Sequence, residues 1–364
     1  MTAPRDPAPT SPQASSPAHA FGVYIGRFQP PHAAHLLVML EALERVGTLI
    51  VVIGSAHAAR TPKNPFTADE RGAVIAAMLR EAGAEPGRLR WVQVRDHLYD
   101  EERWLGEVRD GVERHTGGHP DVALIGHLKD ESSYYLRSFP GWTFLPTQVV
   151  SPLSATDVRR AYFADRLEEV AGMVPPAVHA FLSAFRGTAD FAELQADAEW
   201  LREMQAQAAT WPPLGVEAHA LVMDREGRVL LTRRTERPGR GLLALPGVEI
   251  LPGETLAASA RRAAAGALAV TPDDPDLSPL PSPASVYDAP GRSLRGRVIA
   301  HVFRLGWTGE VAQPVARPPG AGPLWLSPGE ALARPEAFFE DHHAVLEQLL
   351  SLAPVSPPAP AAPR

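Results

Sequence analysis

The chain contains no cysteine. Disulfide frameworks and thiolate metal sites are therefore excluded, and a cytoplasmic address agrees with that composition. Positive charge is also not in excess: 35 Lys and Arg stand against 42 Asp and Glu, for a net charge of −7. A nucleic-acid partner would demand a basic footprint, so none is expected, although one phosphate pocket needs only a few local cations. No apolar run approaches the ~20 residues of a membrane span. Residues 1–20 hold no apolar segment of the kind that marks a secretory signal, so no membrane partner is expected either. Nothing in the composition excludes a homo-oligomer.

Proline is abundant, with 38 residues. Residues 1–20 and 353–364 are rich in Pro and Ala and bury too little apolar surface to order themselves, so both are expected to be disordered tails. Between them the pattern divides. Phe21–Ile25, Leu49–Ile53, Trp91–Val94 and Val122–Ile125 are short apolar runs separated by amphipathic helical stretches, at about 68–82 and 101–115 among others. That alternation implies βαβ units and a parallel sheet over residues 21–187. Ligands bind beyond the carboxyl ends of such strands, which directs attention to the residues after Ile25, Ile53 and Ile125. Residues 188–212 read as a helical linker (Leu194, Trp200, Leu201, Met204). A hairpin, Ala220–Met223 with Val229–Leu231 around the turn Asp224–Gly227, then opens a second, α+β domain over 213–352.

Gly26-Arg27-Phe28-Gln29-Pro30-Pro31-His32-Ala33-Ala34-His35 follows the first strand. Glycine admits close approach of backbone to ligand, and a helix starting near Ala33 offers free N–H groups to an anion. His32 and His35, three apart, face one way and can donate to phosphate oxygens. Taken alone, the pair also describes a helix surface or half a zinc site, but no cysteine or third ligand follows at fixed spacing, so no resident metal is expected. Downstream, Ser154-Ala155-Thr156-Asp157-Val158-Arg159 begins with a capping-box pattern, Ser154 with Asp157, that marks a second helix N-terminus. Thr156 and Arg159 add a hydroxyl and a cationic fork on its first turn.

The run G-R-F-Q-P-x-H-x-x-H with a later S-x-T-x-x-R resembles the nucleotidylyltransferase superfamily, and more narrowly the archaeal-type nicotinamide mononucleotide (NMN) adenylyltransferases. Ile53–His57, Lys63–Thr67 with Glu70-Arg71, Gly126–Asp130 and Ser132–Tyr135 extend the likeness over essentially all of 21–187. The resemblance implies a Rossmann-like nucleotidyltransferase that transfers the adenylyl group of ATP, as its Mg²⁺ complex, to NMN and so makes NAD. It implies that His32, His35 and Arg159 carry catalysis. Gly26, Arg27, Phe28, Gly126, Ser154 and Thr156 would bind ATP, Ser55 would meet the NMN phosphate, and Trp104 would stack on the nicotinamide. Trp104 also reads simply as a helix aromatic in the core. Two departures stand out: Ala34 replaces the motif's second glycine, and Pro31 a common aromatic.

In the second domain, Ala244–Gly247 and Gly253-Glu254-Thr255 resemble the start of a Nudix box, and the domain order is that of bifunctional adenylyltransferase/ADP-ribose pyrophosphatases. Glu254 and Arg262 keep the pattern's first acid and its arginine. Ala263, Gly266 and Ala267 occupy the three following glutamate positions, with Val248 and Ala269 at two glycines. Those carboxylates would hold the metal and activate water, so a hydrolytically inactive, degenerate Nudix domain is expected, one that still binds ADP-ribose or NAD if its pocket persists. Arg292, Arg295 and Arg297 read rather as a solvated basic loop. Two other functions stay open: transfer to a different phosphate acceptor such as pantetheine phosphate, and a nucleotide sensor without catalysis.

Overall fold

The computed structural model describes residues 17–126, 138–147, 154–207, 214–311 and 323–351. Residues 1–16 and 353–364, together with 127–130, 132–135 and 211–213 singled out above, lie outside those described. The first domain runs β1 (His19–Gly26), α1 (Ala33–Arg45), β2 (Val46–Ile53), α2 (Ala68–Glu81), β3 (Leu89–Gln93), α3 (Glu101–Thr116), β4 (Val122–Gly126), β5 (Thr143–Pro146), α4 (Ala155–Phe163) and α5 (Pro176–Phe185). Its strands lie in the order β3-β2-β1-β4-β5, every neighbour parallel. Leu49–Ile53 is apolar throughout because both faces of β2 are covered: Val51 and Ile53 enter one core with Met39 and Phe66, Ile50 and Val52 the other with Val23 and Val108. The strand order reverses between β1 and β4, so the crevice above their carboxyl ends is the switch point of the sheet.

The domain begins earlier than composition suggests. His19 and Ala20, assigned to the tail by their neighbours, extend β1 and bond Asp121 through the His19 ring (2.7 Å) and the Ala20 N–H (2.8 Å). The linker likewise is no free spacer. Its helix α6 (Ala189–Gln207) buries Phe191 and Leu194 in the first core, and its Asp197 accepts from Arg237 and the Gly239 N–H of the second domain at 2.7 and 2.9 Å.

That second domain comprises β6 (Leu214–Met223), β7 (Val229–Arg233), β8 (Leu243–Ala244), β9 (Gly247–Glu249), α7 (Leu256–Leu268), β10 (Leu277–Pro279), β11 (Ser285–Tyr287), β12 (Arg297–Trp307), β13 (Pro323–Leu326), α8 (Pro328–Leu332) and α9 (His342–Ser351). Its mixed sheet has the central order β10-β12-β6-β7-β13, with β12 and β6 parallel and the expected hairpin forming between β6 and β7. Apolar clusters cover both sheet faces. Among the described residues no helix is long and apolar enough to cross a membrane.

Candidate active site

The loop after β1 is built around glycine. A Cβ on Gly26 would stand 2.7 Å from the ring of Phe28, which folds back over it at φ 52°. Phe28 is 2% exposed and packs edge-on to His35 at 5.0 Å. Its ring therefore supports the histidine, and only its backbone is available to a nucleotide. His32 is the N-cap of α1, and its N–H donates to Nδ1 of His35 at 3.2 Å. That bond places the His35 proton on Nε2, where it can donate to a phosphate. The two rings stack at 3.7 Å beside the free N–H groups of the first turn.

Arg159, on α4, joins the second motif to the first. It donates to the Gln29 carbonyl at 2.6 Å and to Thr156 Oγ1 at 3.2 Å. Ser154 caps the helix through the Thr156 N–H at 3.1 Å. The expected capping box does not close, because Asp157 turns outward to Arg160 at 3.0 Å. The helix start is where the motif put it. Burial and the neighbouring Arg27 pull the Arg159 guanidinium down to about 10. Lys63 is lowered too, by burial first and then by Arg27, with Asp96 opposing and Arg159 adding to the effect. Arg27, Lys63 and Arg159 thus converge, and neither Arg27 nor Lys63 forms an ion pair among the described residues. Three cations gathered near two histidines suit a polyphosphate, with Asp96 close to Lys63.

Four side chains hold this arrangement: Gln29, Lys63 and Arg71, which the motifs contained but to which no role was given, and Asp96, which they did not contain. Arg71, 1% exposed, donates to the carbonyls of Arg27 (2.5 Å), Gly54 (2.7 Å), Ser55 (3.1 Å) and Thr67 (3.0 Å), pinning the ends of β1 and β2 together. Gln29 pairs with the backbone of Phe66 in both directions. Lys63 is the third of the four. Asp96 accepts from the Ser55 N–H at 3.1 Å and from its hydroxyl at 2.6 Å. Ser55 thereby commits its one proton to Asp96 and presents only lone pairs, so the phosphate donors must come from elsewhere. Asp96 was discoverable: it stands just past the end of β3, where a parallel sheet places function.

Gly126 ends β4 at the switch point, its carbonyl accepting the Thr147 N–H at 3.0 Å. Trp104 lies on α3, half-buried and 6.2 Å from the buried Phe139. Among the described residues no cluster of three metal-ligating side chains occurs.

The second domain holds a separate pocket lined by Glu217, His219, Arg234, Arg295, Phe339 and His342, among others. Arg295 bonds Glu217 at 2.7 Å and Glu340 at 3.2 Å. Arg234 lies 3.8 Å above the Phe339 ring. Burial pushes Glu217 up, but His219 and Arg295 outweigh it and hold the carboxyl well below its usual range. A Cβ on Gly247 would collide with the His219 ring at 2.0 Å, which explains that glycine. The expected solvated loop is corrected here. Arg292 is 5% exposed and bound twice by Asp341, at 2.8 and 2.7 Å, and Arg295 is enclosed between two buried carboxylates. Only Arg297 stays at the rim. An isolated basic triplet reads as surface because the acids that bury it lie far off in sequence.

Glu254 is fully engaged in structure. Arg262 grips it at 2.9 Å and Ser259 at 2.7 Å, holding its carboxyl at about 2. Beside it, Ala263, Gly266 and Ala267 offer no ligand atom, so these residues do not fit a catalytic metal. Ala269 closes α7 in the left-handed conformation, φ 59°, that glycine adopts more cheaply.

Residues 23–161 match the Cytidylyltransferase-like family and residues 213–349 the NUDIX domain. The nicotinamide/nicotinic acid mononucleotide adenylyltransferase of Acinetobacter baylyi is 37% identical over 174 residues, 48% of this chain and 90% of that protein. The nicotinamide-nucleotide adenylyltransferase of Pyrococcus horikoshii is 30% identical over 186 residues, covering 51% and 95%. The crystal structure of a bifunctional NMN adenylyltransferase/ADP ribose pyrophosphatase from Francisella tularensis superposes with a TM-score of 0.78 at 28% identity, over 92% of this chain and 99% of that one.

Proposed function

The chain belongs to the nicotinamide mononucleotide adenylyltransferase family, and from that premise we propose how its two halves divide the work. Residues 21–187 join NMN to ATP, giving NAD and diphosphate, while residues 213–352 bind a nucleotide without hydrolysing it. In the first reaction a 5′-phosphate oxygen of NMN attacks the α-phosphorus of ATP. The bond from that phosphorus to the β-bridging oxygen breaks, and diphosphate leaves. The chain supplies position and charge rather than a covalent intermediate. Arg159, Thr156 and Arg27 hold the β- and γ-phosphates, with Ser154 fixing the turn that carries Thr156. His35 Nε2–H and His32 stabilise charge at the α-phosphate, and Lys63 lies between those phosphates and the acceptor. Mg²⁺ arrives with ATP as part of the substrate.

The convergence of Arg27, Lys63 and Arg159, tied to the β1–α1 loop by the Arg159–Gln29 bond, carries this reading. Incubation of the full chain with ATP, Mg²⁺ and NMN should yield NAD and diphosphate in equal amounts. Product only with another phosphate acceptor would move the assignment to that acceptor. Nucleotide binding without product would make the chain a sensor.

For the second domain, the Arg234–Phe339–Arg295 pocket supports binding of ADP-ribose, and the bare face of α7 supports lack of turnover. Calorimetry on the full chain should detect ADP-ribose, with no AMP released in Mg²⁺ or Mn²⁺. Steady release of AMP would sink the inactive assignment.

A further inference from the structure

The β3–α3 loop, residues 94–100, belongs to the first domain, yet much of its anchorage lies in the second. Tyr99 donates to Asp341 at 2.5 Å, and its ring meets Tyr287 edge-on at 5.0 Å. Asp341 is fixed in turn by Arg292, both side chains being at most 2% exposed. Glu347, on α9, binds Arg95 at 3.3 Å and Arg103 at 3.0 Å. These contacts bracket Asp96, which holds Ser55, and end next to Trp104. The same loop borders a cleft of ≈ 170 Å³ between the domains, with His57, Lys63 and Asp96 on one wall and Gly291, Arg292 and Asp341 on the other. The ATP half of the site is built differently: α1, α4, Arg27 and Arg159 have no hydrogen bond to the second domain among the described residues.

We propose that Asp341 and Glu347 are positioning residues for the mononucleotide half of the transferase site. They hold the segment from Arg95 to Trp104, and with it Asp96 and Ser55, in the arrangement that receives the acceptor. The second domain is then a wall and a brace of the first domain's site, whatever its own pocket does. This rests on the reading of the first domain as an NMN adenylyltransferase. The physical ground is entropic: a loop already held in its bound conformation does not have to be ordered by the ligand.

The test is steady-state kinetics of the full chain with Tyr99→Phe, which removes one hydroxyl and leaves the Asp341–Arg292 pair intact, and with Glu347→Gln. Each should raise KM for NMN about three- to tenfold, with kcat and KM for ATP within about twofold of wild type. Arg237→Ala, which removes the Arg237 ion pairs to Asp197 and Glu193 on α6, should leave KM for NMN unchanged. Equal shifts in both KM values, or none, would overturn the proposal. A wild-type chain that makes no NAD would instead overturn the reading beneath it.

Discussion

His35 shows how one hydrogen bond assigns a chemical role. Because Nδ1 accepts from the His32 N–H, Nε2 carries the proton, and on the proposed reading it donates to the phosphates. His35→Ala should lower the rate of NAD formation by about 10²–10³, the usual effect of losing one preorganised donor, with an unchanged far-ultraviolet circular dichroism spectrum. A near-wild-type rate would remove His35 from the mechanism. Arg71 works from behind the site. Its donors serve four backbone carbonyls in a buried setting, and Arg71→Met would leave those acceptors unsatisfied. The expected loss is roughly 3 kcal/mol or more in urea denaturation, with KM raised for both substrates. Neither role follows from residue type: an arginine beside a phosphate motif suggests a phosphate ligand, and only the contacts show a structural tie.

At the scale of elements, α7 and α9 carry opposite messages. α7 keeps the Glu254–Arg262 tie but has a bare face, so Glu254→Ala should lower the melting temperature of the chain without altering NAD formation. α9 opens with two buried histidines, His342 and His343, both held below the usual histidine range, first by burial. For His342 the next cause is His219; for His343 the Leu332 carbonyl opposes the shift. The native state thus binds fewer protons than the unfolded chain once pH falls below about 6.5. Stability should be full above that pH and decline below it, by at most about 1.4 kcal/mol per pH unit for each histidine. Denaturant midpoints at pH 7.5 and 5.5 check this, and His342→Gln should flatten the dependence. An equally steep dependence in that variant would assign the effect to other groups.

On the scale of the whole molecule the two domains are braced at two places. α6 buries its first half in one domain and binds Arg237 of the other, and Tyr99 packs against the second core. A single calorimetric unfolding transition is therefore expected. Arg237→Ala combined with Tyr99→Phe should split it in two, and two transitions in the wild type would show the braces to be weak. The same contacts mean that a lesion in the second domain can change the first domain's substrate affinity with no chemistry of its own.

Some of this was already determined by the local pattern. Alternating apolar runs and helices specify a parallel sheet because strand and helix periods are properties of neighbouring residues. The two phosphate motifs announce themselves because a helix N-terminus and its cap are local in sequence. That Ala263, Gly266 and Ala267 carry no carboxylate is legible from residue type alone. The tertiary structure decided what depends on distant partners. It drew His19 and Ala20 out of the tail onto Asp121, buried Arg292 and Arg295 against acids 45 or more residues away, and set Asp96 on Ser55. It also tied the mononucleotide loop to α9. Burial and pairing are set by what the fold brings near, and no spacing along the chain encodes them.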